Sequence, residues 1–185
     1  MSECKQVLQI DFHPTCSELM MNGAYQVKTV VIREFGDVAV PCQYELDLRI
    51  TAPRDCTGCW SCWLKTPGRC IHKDLDAFYR AYLAADKVII LANVSKGFVS
   101  GDMKTLFDRM IPLFLPYITY KSGESMHVPR YDKYPAVEAY YQGVFSSEQE
   151  KKLYEDYIHR VFYQFHSKCD VVEPIAQFSL KEALR

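Results

Sequence analysis

Four of the chain's eight cysteines fall within fifteen residues, "CTGCWSCWLKTPGRC" at 56–70. Their spacing is Cys56-x2-Cys59-x2-Cys62-x7-Cys70. Clustered thiols can ligate a metal, pair as disulfides, or pack as small buried hydrophobes. Three sulfurs at x2 spacing with a fourth nearby match the compact pattern that iron–sulfur clusters take. Structural zinc more often pairs two C-x2-C knuckles far apart. Trp60 and Trp63, interleaved with the cysteines, suit either the shielding of a cluster or plain core packing. Cys4, Cys16, Cys42 and Cys169 are scattered and read as structural.

The compartment bears on that choice. The start, "MSECKQVLQI", lacks the basic residues and apolar run of a signal peptide. The longest apolar stretch, "MIPLFLPYITY", carries two prolines and is too short to span a bilayer. The expectation is a cytoplasmic protein away from the membrane, where disulfides are the least favoured use of these thiols. With 185 residues, 49% hydrophobic and 14% aromatic, the chain can build one sizeable core, read as a single domain over 1–185. A formal charge of −1, with both signs interspersed, leaves no footprint for nucleic acid.

The elements that must position the cysteines read as alternating strands and helices. Strands are expected at 6–11, 43–50, 87–93, 135–142 and 171–178. "KVIILANV" is a continuous apolar run, as in a strand buried on both faces. Amphipathic helices are expected at 74–86 and 102–111, with Pro112 and Pro116 stopping or bending the second. Residues 17–35 carry competing signals. Thr15, Ser17 and Glu18 predict a helix running to Phe35, while the β-branched "VKTVVIREF" suits a strand. Residues 120–135 read as a polar loop, 146–168 as a long helix, and "SLKEALR" as a final helical turn or two. This alternation implies βαβ units and a doubly wound, three-layer α/β sandwich. Its ligand belongs beyond the carboxyl ends of the strands, where strand order reverses.

"CTGCWSCWLKTPGRC", "KDLDAFYRAYLAADKVIIL", "GDMKTLFDRMIPLFLPYI" and "VPRYDKYP" together resemble the flavodoxin-fold NAD(P)H-dependent FMN reductases, in the branch related to iron–sulfur flavoproteins. The resemblance is good from about Glu45 to Pro135 and poor over the first forty residues. It implies a five-stranded parallel sheet of order 2-1-3-4-5, an FMN site, NAD(P)H as electron donor, and a homodimer or homotetramer. Two family features are missing. "DFHPTCSE" stands where a Gly-Ser-Pro-Arg type phosphate loop is usual, and "ANVSKGFVSG" stands where Ser-Pro and an aromatic pair usually meet the ring.

On this reading, His13, Thr15 and Ser17 would meet the FMN phosphate at a helix start; they serve equally as ordinary caps. Asn93, Val94, Ser95, Lys96, Gly97 and Phe98 would meet the ring. Gly97 gives close approach, Asn93 an amide donor, Lys96 a charge and Phe98 a stacking surface. Tyr141 would edge the site. Cys56, Cys59, Cys62 and Cys70 would hold a cluster beside the same edge. The function implied is an FMN-dependent oxidoreductase or electron-transfer flavoprotein. The alternative is a non-catalytic flavodoxin-like protein with a decayed flavin site and a packed cysteine loop.

Overall fold

The structure is a computed structural model that describes residues 27–36 and 38–178. Five parallel strands form its centre: β1 (Thr29–Arg33), β2 (Tyr44–Asp47), β3 (Lys87–Ser95), β7 (Ala136–Gln142) and β8 (Cys169–Pro174). They lie in the order β2-β1-β3-β7-β8, which is the expected 2-1-3-4-5 arrangement. The run Val88–Ala92 is fully buried in the middle of the sheet, as its unbroken hydrophobicity predicts.

Alternation along the strands divides the core in two. Val30, Ile32, Val88, Ile90, Val137, Ala139 and Tyr141 face the helical layer. There α2 (Asp76–Ala84) contributes Phe78 and Tyr82, α3 (Gly101–Asp108) Met103 and Leu106, and α4 (Glu148–Gln164) Tyr154, Ile158 and Phe162. Val31, Ile89, Leu91 and Tyr140 face the other side. Among the described residues that side is packed by Phe35, Val38, Val40, Val171, Ile175 and Phe178, with Ile175 in a short 3-10 turn.

Two stretches differ from expectation. The first-strand place is taken by Thr29–Arg33, inside the stretch given to a helix ending at Phe35; residues 6–11 lie outside the described residues. Tertiary pairing decides this case. All five β1 residues are buried, and β1 bonds to a strand on each side. Its β-branched residues lose side-chain freedom in a helix and fit a pleated surface. The polar loop is also a hairpin, β5 (Phe114–Lys121) and β6 (Glu124–Pro129). Ser122 and Gly123 turn it with φ of 54° and 80°, the positive pair that a two-residue hairpin turn requires. The closing "SLKEALR" lies outside the described residues.

The helix at 102–111 ends early, at Asp108. Pro112 then sits in a short 3-10 turn, Ile111–Leu113, that leads into β5. At its other end the Ser100 hydroxyl caps the helix by accepting the Met103 N–H at 3.0 Å.

Candidate functional site

Between β2 and α2 the chain leaves the sheet and folds the cysteine stretch over α3. Arg109, one residue past α3, anchors it: the side chain is 1% exposed, ion-paired to Asp74, and donates to the Arg54 carbonyl. The Tyr79 hydroxyl donates to the Arg109 carbonyl, and Thr105 Oγ1 donates to Asp55 at 3.1 Å. From the other side, Trp63 Nε1 donates to the Phe114 carbonyl at 2.8 Å, tying the stretch to β5. Gly58 and Trp60 turn the backbone at φ of 63° and 59°, and a single helical turn, α1 (Ser61–Leu64), carries Cys62.

This framework brings all four cysteines to one cavity of about 290 Å³. Trp60, Trp63, Ile111 and Pro112 supply apolar wall, and His72, Arg109 and His127 are also among its lining residues. The thiols are free. They differ in character. Hydrogen bonds from the Ser61 hydroxyl and N–H pull the Cys59 thiol below its usual range. Burial pushes the Cys62 thiol up, and negative charge on Cys70, Cys56 and Cys59 adds to that. Four thiolates together therefore repel one another unless a cation lies among them.

Among the described residues no group of three or more His, Cys, Asp or Glu side chains that could hold a metal ion is found, so the expected cluster ligation by Cys56, Cys59, Cys62 and Cys70 has no support from this arrangement.

The expected flavin contacts lie elsewhere. The cavity wall includes none of residues 93–98. Those residues form a tight hairpin at the carboxyl end of β3, which returns as β4 (Phe98–Val99), with Lys96 and Gly97 as its turn at φ of 50° and 73°. Ser95 and Lys96 are exposed. Val94 packs on Gly143, and a Cβ on Gly97 would collide with the Glu150 carboxylate. Phe98 lies on Tyr157, with ring centres 4.4 Å apart, rather than on an open surface. Tyr141 is buried against Tyr154 and Phe145, and its hydroxyl donates to Glu155 at 2.7 Å. The Asn93 amide is engaged at both ends: it donates to the Glu34 carbonyl at 3.0 Å and accepts from Gln142 at 2.9 Å.

His13, Thr15 and Ser17 lie outside the described residues, and in sequence they precede β1. The segment that follows β1 begins with Glu34, whose carboxylate accepts from the Asn93 N–H at 2.7 Å and from the Ser100 hydroxyl. Glu34 is 8% exposed. Asn93 and Ser100 thus hold the Glu34 carboxylate at the end of β1.

Burial raises the Glu34 pKa above 4.5, with the Ser100 and Asn93 bonds opposing and Asp102 reinforcing the shift. A raised folded-state value favours folding below the ordinary glutamate pKa, and that contribution is lost as pH rises through the folded value. Stability measured by urea unfolding should therefore fall over that window in the native chain and fall less in Glu34→Gln. Equal slopes for the two proteins would count against a desolvated Glu34.

No protein-family model and no curated protein matches the sequence. Among solved structures, the chain is similar to an azoreductase from Bacillus anthracis str. Sterne, with a TM-score of 0.51 and 16% identity over 85% of this chain and 93% of that one. It is also similar to the azoreductase AzrA, with a TM-score of 0.50 and 15% identity over 85% and 93%. The fold is flavodoxin-like. At these identities the likeness is one of architecture.

Arg109, Asp74, His72, His127 and Glu34 were not singled out from sequence. Arg109 left one legible sign: it lies three residues past Leu106, on the apolar stripe of an amphipathic helix, where an arginine must find a partner. His127 and Asp74 reach their places through tertiary packing and left none.

Proposed function

We propose that the chain is an oxidoreductase of the flavodoxin-like fold whose electron-carrying centre is an iron–sulfur cluster held by Cys56, Cys59, Cys62 and Cys70. The convergence of these four thiols on one cavity carries the reading. A bound cluster supplies one-electron transfer. The chain's part is to hold four sulfurs apart, to limit water with Trp60, Trp63 and Pro112, and to place the buried Arg109 charge in the wall. Trp60, 60% exposed, is the outer face through which an electron partner would approach. Free thiols suit a reducing, cytoplasmic setting. Among the described residues no helix is long and apolar enough to cross a membrane. A homodimer or homotetramer is supported by the exposed Tyr117, Ile118 and Tyr120 of β5.

Anaerobic reconstitution with iron and sulfide tests this. The expected product is brown, bleaches with dithionite, and gives an electron paramagnetic resonance signal in one oxidation state. A colourless product after the same treatment would overturn the reading.

A second reading, an FMN-dependent NAD(P)H oxidoreductase, is favoured by the similarity in fold to two azoreductases. In it the ring would lie along the Ser95–Gly97 turn, and His13, Thr15 and Ser17 would meet the phosphate. Saturable quenching of FMN fluorescence at micromolar protein supports it; its absence removes it.

A further inference from the structure

The β5–β6 hairpin stands apart from the main sheet as a two-stranded ribbon. Its first strand exposes three large side chains: Tyr117 at 67%, Ile118 at 56% and Tyr120 at 81%. Successive side chains of a strand point to opposite faces, so no single face carries all three. What they share is the edge of β5.

The register fixes which backbone groups that edge presents. Ser122 and Gly123 form a two-residue turn, so Lys121 and Glu124 close it as a hydrogen-bonded pair, and Thr119 with Met126 is the next such pair. Ile118 and Tyr120 therefore aim their N–H and C=O groups away from β6. Among the described residues no hydrogen bond reaches those groups. An edge of this kind pairs with another strand unless a charge, a proline or a bulge blocks it. Pro116 and Lys121 bound the stretch, and Tyr117–Tyr120 carries neither charge nor proline.

We infer that this edge pairs antiparallel with the same edge of a second copy of the chain, about a two-fold axis at Thr119. The inference refines the homo-oligomer reading above and rests on it. In that register Ile118 of each copy faces Tyr120 of the other, and the N–H and C=O of both residues find partners. Each contact is made twice, as an isologous interface requires. Aromatic residues opposite β-branched ones are favourable cross-strand pairs. Charge selects the direction. Lys121 is the one charged residue of β5. Antiparallel pairing about Thr119 sets the two Lys121 side chains four residues apart, roughly 14 Å along the strands. That exceeds the screening length of about 8 Å at physiological salt. Parallel pairing would set them side by side. In the antiparallel arrangement Lys121 meets Tyr117 of the other copy instead, an aromatic face that attracts a cation.

Sedimentation equilibrium of the full-length chain tests this, beside Ile118→Lys and Thr119→Cys. The parent should sediment as two or more chains at micromolar concentration. Ile118→Lys brings like charges to about 7–8 Å across the axis. It should weaken association by about tenfold or more while leaving the thermal midpoint with the parent's. Mild oxidation of Thr119→Cys should yield a dimer whose peptide map joins the two introduced thiols to each other, because that central pair brings its Cα atoms to about 4.5 Å. If Ile118→Lys fails to fold, the Thr119→Cys map alone decides. Unchanged association in folded Ile118→Lys, or a map without that link, overturns the edge pairing and leaves a homo-oligomer built on another surface. A parent that is a single chain at every concentration overturns both, and the edge then belongs to an extended segment of a different protein.

Discussion

Replacing Cys62 with serine should reduce the iron retained after anaerobic reconstitution by more than about tenfold. Cys62 is partly buried, and burial together with negative charge on Cys70, Cys56 and Cys59 raises its thiol pKa. It also sits on α1, directly before Trp63, whose indole is bonded to the Phe114 carbonyl. Serine keeps the size and a weak hydrogen-bonding group but offers a poor ligand for iron, so the fold should persist while the site fails. Cys42→Ser and Cys169→Ser are the matched controls. Cys42 belongs to the second-face core and Cys169 lies on β8, so neither change should alter iron content. Equal iron in Cys62→Ser and the parent would remove Cys62 from the ligand set.

Asp74→Ala should be the more damaging change to stability, by about 3–5 kcal/mol, because it leaves the Arg109 guanidinium buried without a carboxylate. Against a typical total of about 5–15 kcal/mol, such a loss consumes a large part of the margin. Asp74 also accepts the Arg54 N–H at 3.0 Å, so the change loosens the start of the cysteine stretch. Burial alone would push the Asp74 carboxyl up, but the Arg109 and Arg54 bonds outweigh it and hold the pKa at about 2 instead of 3.8. A depressed value contributes stability that is present above 3.8 and lost as pH falls toward 2. Acid unfolding of the parent should therefore show a loss across that interval that Asp74→Ala lacks. A denaturation midpoint within error of the parent would contradict the role given to this pair.

Much of the architecture was legible in the sequence because it rests on periodicity. The unbroken run at 87–94 became the central strand, and the spacing of Leu75, Phe78, Tyr79 and Tyr82 became α2 with its buried face. The first strand was not legible. Capping residues near Thr15 and a β-branched run at 29–33 made opposite local claims, and only pairing with β2 and β3 decides between them. The hairpin at 114–129 did carry a sign, Ser122-Gly123 between aromatic and β-branched residues, but the surrounding charge made it read as loop.

The site divides in the same way. Cysteine spacing alone indicated that Cys56, Cys59, Cys62 and Cys70 belong together, and they share one cavity. Spacing could not say where that cavity lies. It sits at the far end of α3, against His127 of β6, and its wall does not include the 93–98 turn. Nor could it reveal Glu34, since a lone glutamate after a strand carries no local signature. Its burial arises from contacts with Asn93 and Ser100, far along the chain.

The claim that four cysteines hold a cluster meets its most direct test in iron and acid-labile sulfide analysis of the anaerobically reconstituted chain, after unbound metal has been removed. The account predicts about four iron and about four sulfide per chain, as a Cys-ligated cubane requires. Iron and sulfide at background would contradict it, and so would a single zinc in their place.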